Sequence, residues 1–366
     1  MARKFAHTFF PEHLNPITDD HVTLTVQEIE QAAVREVLQT PGVKFGSWAI
    51  LDGLLDNGTE FMFREPLGHA REVKVALSGL FGRFVARAYL ERYFHLAFFA
   101  HLGQRNITLD GIRNIVIRKT IRGDLPDWIA CESWLANLTI AEAKGSHDPS
   151  GPESALDRAW NQAQRVSVFV NSIRVTVKRI AIATRWGMLK GGPSTPWISV
   201  HDPIDEGDSP KGELAAEAYI GIVRHHIANL LDPLGHRELA GILRALTITR
   251  TDQDRSSLAL RADELLDVGL LASDRIELRD IGVGHLLIGG IVTRSGPIRD
   301  VEFTPADRSV LERLDQRPVF VGVGVKLVRA AILGDIVSLR SLAENHAGTA
   351  ITESFDNIGG HVVRLG

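Results

Sequence analysis

The chain has 366 residues, a formal net charge of −4, 44% hydrophobic and 23% charged residues, which suits two or three globular domains with a sizeable core. That balance excludes a globally basic polyanion binder and leaves a local basic face as the route to nucleic acid. The single cysteine, Cys131, excludes an internal disulfide framework and a thiolate zinc site; with no signal-peptide stretch and no apolar run near the ~20 residues of a membrane span, the expectation is a cytoplasmic protein with no membrane partner.

In chain order, residues 1–75 read as an N-terminal extension of short strand-like runs. They include one amphipathic helix, Thr25 to Leu38, with Val26, Ile29, Ala32, Ala33 and Val37 at helical spacing. Pro41-Gly42 ends it. The spacing predicts a long apolar helix over Leu77 to Leu102, closed by Gly103 and buried between layers. Strand-like runs follow at Ile112 to Ile121, Asp127 to Cys131 and Leu138 to Ala143, the last stopped by Gly145. A helix is predicted over Glu153 to Phe169 and a further strand over Val175 to Thr184. Residues 191–210, rich in Gly, Pro and acid, read as a linker. A helical block over Leu214 to Leu246 opens a C-terminal domain, 211–366, of mostly helical and mixed character with no evident role.

Cutting a phosphodiester requires acidic oxygens to hold a hard cation and a positive group near the attacking water or the developing charge. Two neighbouring strands can supply both, because side chains at i and i+2 of a strand share a face. Pro126-Asp127 opens one strand candidate, and Glu142-Ala143-Lys144 closes the next. Glu142 and Lys144 therefore share a face, and the Ala143 carbonyl is a further candidate ligand. Asp124, within the preceding turn, is the alternative first carboxylate. A plainer reading of each piece stays open: Asp127 as a turn residue after Pro126, and Glu142 with Lys144 as a solvated strand end. Against the latter, Glu142 follows the apolar run Leu138-Thr139-Ile140-Ala141, where an idle carboxylate is costly.

The order of elements from Leu77 to Thr184, with Pro-Asp and Glu-X-Lys on successive strands, resembles the PD-(D/E)XK, or restriction-endonuclease-like, nuclease superfamily. The resemblance covers under a third of the chain. It implies an α/β fold with a mixed-sheet nuclease core over 76–190. It also implies an Mg²⁺-dependent endonuclease, Mn²⁺ being a substitute, with Asp127, Glu142 and the Ala143 carbonyl at the metal and Lys144 at the water. A glutamine on the following helix is part of the family pattern; Gln162 and Gln164 both offer one, and Gln164 is preferred. Glu91 is the nearest match, a poor one, to the family's glutamate on the first helix. DNA is the implied substrate, in restriction, anti-phage defence, mobile-element processing or repair, with a homo-oligomer or an activating partner compatible.

Charge supports that reading locally. From Leu156 to Lys190 the basic residues Arg158, Arg165, Arg174, Lys178, Arg179, Arg185 and Lys190 face a single acid, Asp157, as phosphate contact requires. Two readings from other classes remain: a non-catalytic assembly protein on the same fold, and an RNA-directed nuclease. His225, His226 and His236 lack the carboxylate spacing of a zinc site, and the glycines at 282, 284, 289 and 290 do not fit a dinucleotide loop.

Overall fold

The computed structural model describes residues 2–11, 21–40, 55, 58–64, 71–103, 106–146, 151–189, 195–203, 213–269, 275–277, 286–293, 296–297, 319–348 and 358–364. The strands, in chain order, are β1 (Ala2–Pro11), β2 (His21–Thr25), β3 (Met62–Phe63), β4 (Leu96–His101), β5 (Asn106–Asp110), β6 (Ile115–Lys119), β7 (Trp128–Glu132), β8 (Thr139–Ser146) and β9 (Val166–Val170). They continue with β10 (Ile173–Val175), β11 (Lys178–Arg185), β12 (Gly187–Met188), β13 (Trp197–Asp202), β14 (Arg275–Glu277), β15 (Leu286–Thr293), β16 (Gly296–Pro297), β17 (Val319–Gly324) and β18 (His361–Arg364). The helices are α1 (Val26–Gln39), α2 (Arg71–Tyr93), α3 (Glu153–Ala163), α4 (Glu213–Leu231), α5 (Arg237–Ile248), α6 (Asp252–Gly269), α7 (Val325–Leu333) and α8 (Ile336–Gly348). The fold is α/β, as the sequence leads one to expect.

A seven-stranded mixed sheet runs β2-β1-β13-β11-β8-β7-β4. β4, β7 and β8 are successively antiparallel, and β11 joins β8 in parallel. Along β8 the side chains alternate. Ala143 and Gly145 meet α2, so closely that a Cβ at Gly145 would fall 1.7 Å from the Ser78 carbonyl oxygen. Gly145 thus does not stop the strand, as its residue type suggests, but lets helix and strand backbones touch. The opposite face of β8 and β11 packs on α3, where Ala155, Leu156 and Ala159 meet Ala181 and Ala183.

Several boundaries differ from the sequence reading. The helix expected to reach Leu102 ends at Tyr93; His95 takes a left-handed φ of 53°, and Leu96–His101 becomes β4. A strand buried on both faces is a continuous apolar run, and so is a buried helix, which is why periodicity does not separate them. The 112–121 run is a strand, β6, but it lies in a second sheet of order β10-β9-β6-β5. β4 takes its expected place beside β7. The helix from Glu153 stops at Ala163, and its expected second half is β9.

Trp197–Asp202, expected inside a linker, pairs with β11 on one side and β1 on the other. Residues 190–194 and 204–212 lie outside the described residues. The N-terminal segment supplies β1 and β2 to the same sheet, and α1 packs on α2. Thr25 caps α1 in a reciprocal box with Glu28. The helical block is two helices, α4 and α5, separated at Gly235 with φ of 106°. β12 and β3 form a two-stranded sheet, and a further sheet, β14-β15-β17-β18 with β16 beside β15, lies in the C-terminal part. Among the described residues no helix is long and apolar enough to cross a membrane.

Candidate active site

β7 and β8 pair only as far as Trp128 opposite Ala141. Past that point the two strands separate, and their unpaired ends bring the motif residues together. The Asp127 N–H donates to Glu142 Oε2 at 2.8 Å, and the Ala143 N–H donates to Asp127 Oδ2 at 2.9 Å. Each carboxylate is therefore held by the other strand's backbone. N–H and C=O of one strand residue face the same edge, so the Ala143 carbonyl lies on the Asp127 side.

Lys144 emerges on the Glu142 face. Its Nζ donates to Glu142 Oε1 and, at 2.8 Å, to Gln162 Oε1. Gln162 Nε2 in turn donates to the Leu125 carbonyl at 2.5 Å, tying α3 to the turn before Asp127. The helical glutamine that reaches Lys144 is thus Gln162. Gln164, the preferred candidate from sequence, sits at the C-cap of α3, where its backbone N–H closes the last turn. Two helical positions turn a side chain by about 200°, so only one of the pair faces β8. Asp124, the alternative first carboxylate, stays in the turn; Arg165 bonds its backbone carbonyl at 3.2 Å.

Burial separates the two acids from ordinary surface groups. Glu142 is 1% exposed and Asp127 16%. Burial first, then the Asp127 charge, push Glu142 up to about 8 against the pull of Lys144. Two carboxylates and, from strand geometry, the Ala143 carbonyl offer an all-oxygen set of the kind that suits a hard cation such as Mg²⁺. Among the described residues no group of three or more His, Cys, Asp or Glu converges anywhere.

On the α2 side of Asp127 lies a network that the sequence reading did not foresee. Arg83 Nε sits 3.4 Å from Asp127 Oδ1, while Arg83 Nη2 pairs with Glu36 Oε1 at 2.5 Å. Glu36 also accepts from Arg87 at 2.9 Å and from the Trp128 indole N–H at 3.1 Å, and lies 3.2 Å from His101. Burial alone raises Glu36, yet Arg83, His101 and Arg87 together hold it well below the ordinary carboxylate range. Glu91, the poor match to a family glutamate, is engaged elsewhere, with Arg35 at 2.5 Å and Arg87 at 3.0 Å. The i, i+4 spacing of Arg83, Arg87 and Glu91 along α2 is the available signal for a charged stripe.

The basic residues divide into two groups. Arg179 and Arg185 are buried and bond backbone carbonyls, and Lys178 pairs with Asp202 at 3.0 Å. These three belong to the sheet rather than to a phosphate-binding face. Arg158 and Arg174 are exposed; Lys190 lies outside the described residues. The histidines are structural: His226 Nδ1 accepts from the Phe99 N–H at 2.9 Å, and its Nε2 donates to the Gly359 carbonyl at 2.5 Å. His225 and His236 bond the carbonyls of Thr108 and Gly289, both at 2.9 Å.

A cavity of about 1070 Å³ opens beside Asp127 and Arg83, between the loop 123–127, the β5–β6 hairpin and helices α4 and α5. Comparison of the chain with protein-family models, curated proteins and solved structures finds no match.

Proposed function

We propose that the protein is a divalent-metal-dependent nuclease of the PD-(D/E)XK kind that hydrolyses phosphodiester bonds in DNA. The observation that carries this reading is the convergence of Asp127, Glu142, Lys144 and Gln162 at the point where β7 and β8 part. A helix, three antiparallel strands, a helix and a parallel fourth strand surround that point, the arrangement expected of such a core.

Asp127, Glu142 and the Ala143 carbonyl would hold the cation. When bound, a divalent ion supplies Lewis-acid polarisation of the phosphate and lowers the pKa of water to the neutral range. The chain's own residues do the positioning. Glu142, raised by burial and by Asp127, is a carboxylate whose charge a cation would relieve. Lys144, fixed by Glu142 and Gln162, keeps a further N–H for the attacking water or the phosphate oxygens, where it stabilises developing negative charge. Arg83, beside Asp127 and 22% exposed, adds a second positive group on the cavity side.

The test is cleavage of plasmid and linear DNA with Mg²⁺ or Mn²⁺ by wild type, Lys144→Ala and Glu142→Ala. Metal-dependent cutting reduced at least about 100-fold in both variants supports the reading. Equal cutting by all three proteins overturns it, and no cutting by wild type turns the choice toward an assembly role.

A further inference from the structure

The cavity beside Asp127 is not closed by the nuclease-like core alone. One wall is the loop 123–127 with β5 and β6; the other is made by α4 and α5 of the C-terminal part. We infer that this cavity receives a short single-stranded stretch of DNA adjoining the scissile phosphate, and that the C-terminal helices thereby form half of the substrate site. The inference rests on the nuclease reading above and adds to it the substrate form and the role of α4 and α5.

Three features carry it. The first is size. At about 1070 Å³ the cavity lies just above the ~300–1,000 Å³ of small-ligand pockets. That volume suits a few unpaired nucleotides better than a turn of duplex, which runs ~34 Å along its axis. The second is charge placement. Arg83 stands at the Asp127 end, Lys119 on the strand wall and Arg244 on the helical wall, all lining the cavity. Both outer cations are held in place: Lys119 donates to the Gly123 carbonyl, and Arg244 to Asp232 at 2.8 Å and to Asn229 at 3.1 Å. Cations fixed before binding lose less freedom on meeting a phosphate backbone. The third is apolar surface between them, from Leu125, Pro126 and Ile248. Ile248 is 61% exposed and offers an aliphatic face against which a base or sugar can pack.

The facing acids are Asp127, assigned to the metal, and Asp124 in the loop. His225 adds no charge: burial lowers its pKa, and its ring bonds the Thr108 carbonyl.

The experiment measures binding of one DNA sequence, as a single-stranded oligonucleotide and as a blunt duplex, by fluorescence anisotropy. The protein carries Glu142→Gln to prevent turnover. Lys119→Glu, Arg244→Glu and Arg340→Glu are compared on that background; Arg340 is an exposed residue of α8 and does not line the cavity. Single strand is expected to bind at least ten-fold tighter than duplex. Lys119→Glu and Arg244→Glu are each expected to weaken single-strand binding about ten-fold, and Arg340→Glu to leave it unchanged. Because Arg244 also anchors Asp232, the Lys119 variant carries the inference if Arg244→Glu fails to fold. Preference for duplex, loss of binding in all three variants alike, or no loss in Lys119→Glu overturns it. Should wild type still cut DNA in a metal-dependent way under any of those outcomes, the cavity assignment falls and the nuclease reading stands. Wild type that neither cuts nor binds removes both.

Discussion

Glu36 and Glu142 are both 1% exposed, both near Arg83 and both on elements packed against α2, yet their surroundings treat them oppositely. Glu36 is enclosed by Arg83, Arg87, His101 and the Trp128 N–H, and its carboxyl is held well below the ordinary range. Glu142 has one lysine, one backbone N–H and a second carboxylate against it, and is pushed up to about 8. Burial costs both groups the same hydration. In the first case the protein supplies the compensating charge; in the second it leaves the compensation incomplete. On the nuclease reading proposed above, incomplete compensation in a cleft is what a group kept for chemistry requires, whereas a closed network serves architecture.

The contrast predicts opposite outcomes for the same substitution. Glu36→Gln removes the charge that Arg83 and the buried Arg87 share and should cost about 3–5 kcal/mol, measured by denaturant unfolding. A loss below about 1 kcal/mol would break the comparison from the architectural side. Glu142→Gln should lower cleavage by at least about 100-fold, ~2.7 kcal/mol in the barrier. Because it removes a buried carboxyl's desolvation cost and its repulsion with Asp127, it should raise the stability of the metal-free protein by about 0.5–2 kcal/mol. A Tm that falls instead would place Glu142 among the structural groups.

His226 gives a pH counterpart within the architectural region. Burial, then Arg87, lower its pKa from the ordinary 6.5 to about 3, so the folded state holds the ring neutral while the unfolded chain protonates it below 6.5. Stability attributable to this group is full above pH 6.5 and is lost as pH falls toward 3. The loss should amount to a few kcal/mol in Tm or denaturant titrations across that range. His226→Gln should flatten the slope, and an unchanged slope would remove His226 from the account. The smallest effect belongs to the support of Lys144. Gln162→Ala should slow cutting about ten-fold, ~1.4 kcal/mol, and Gln164→Ala less than about two-fold. The reverse order would restore Gln164.

The site was more legible in the sequence than the fold around it. Asp127, Glu142 and Lys144 are read from local, period-two spacing on adjacent strands, and the structure brings them together at hydrogen-bond distance. The preference for Gln164 assumes a helix running to near Phe169; the helix ends at Ala163, which leaves Gln164 at a cap and Gln162 against Lys144. The buried network at Glu36 and Arg83 joins residues far apart in sequence, and no local pattern pairs them. Likewise β1 with β13, Ala6 opposite Trp197, is a long-range pairing, and the short run Trp197-Ile198-Ser199-Val200 between proline-rich segments looks like linker until its partner strands are present. Leu96–His101 was hidden by its own burial, since an apolar run without polar alternation carries no period.

The most direct test of the distinction between the two carboxylates is a calorimetric titration of metal-free protein with Mn²⁺, in wild type, Glu142→Gln and Lys144→Ala. Wild type and Lys144→Ala should bind the ion, with affinity at least about ten-fold weaker in Glu142→Gln, a difference of ~1.4 kcal/mol. Equal binding by wild type and Glu142→Gln would contradict the assignment of Asp127 and Glu142 as the cation site.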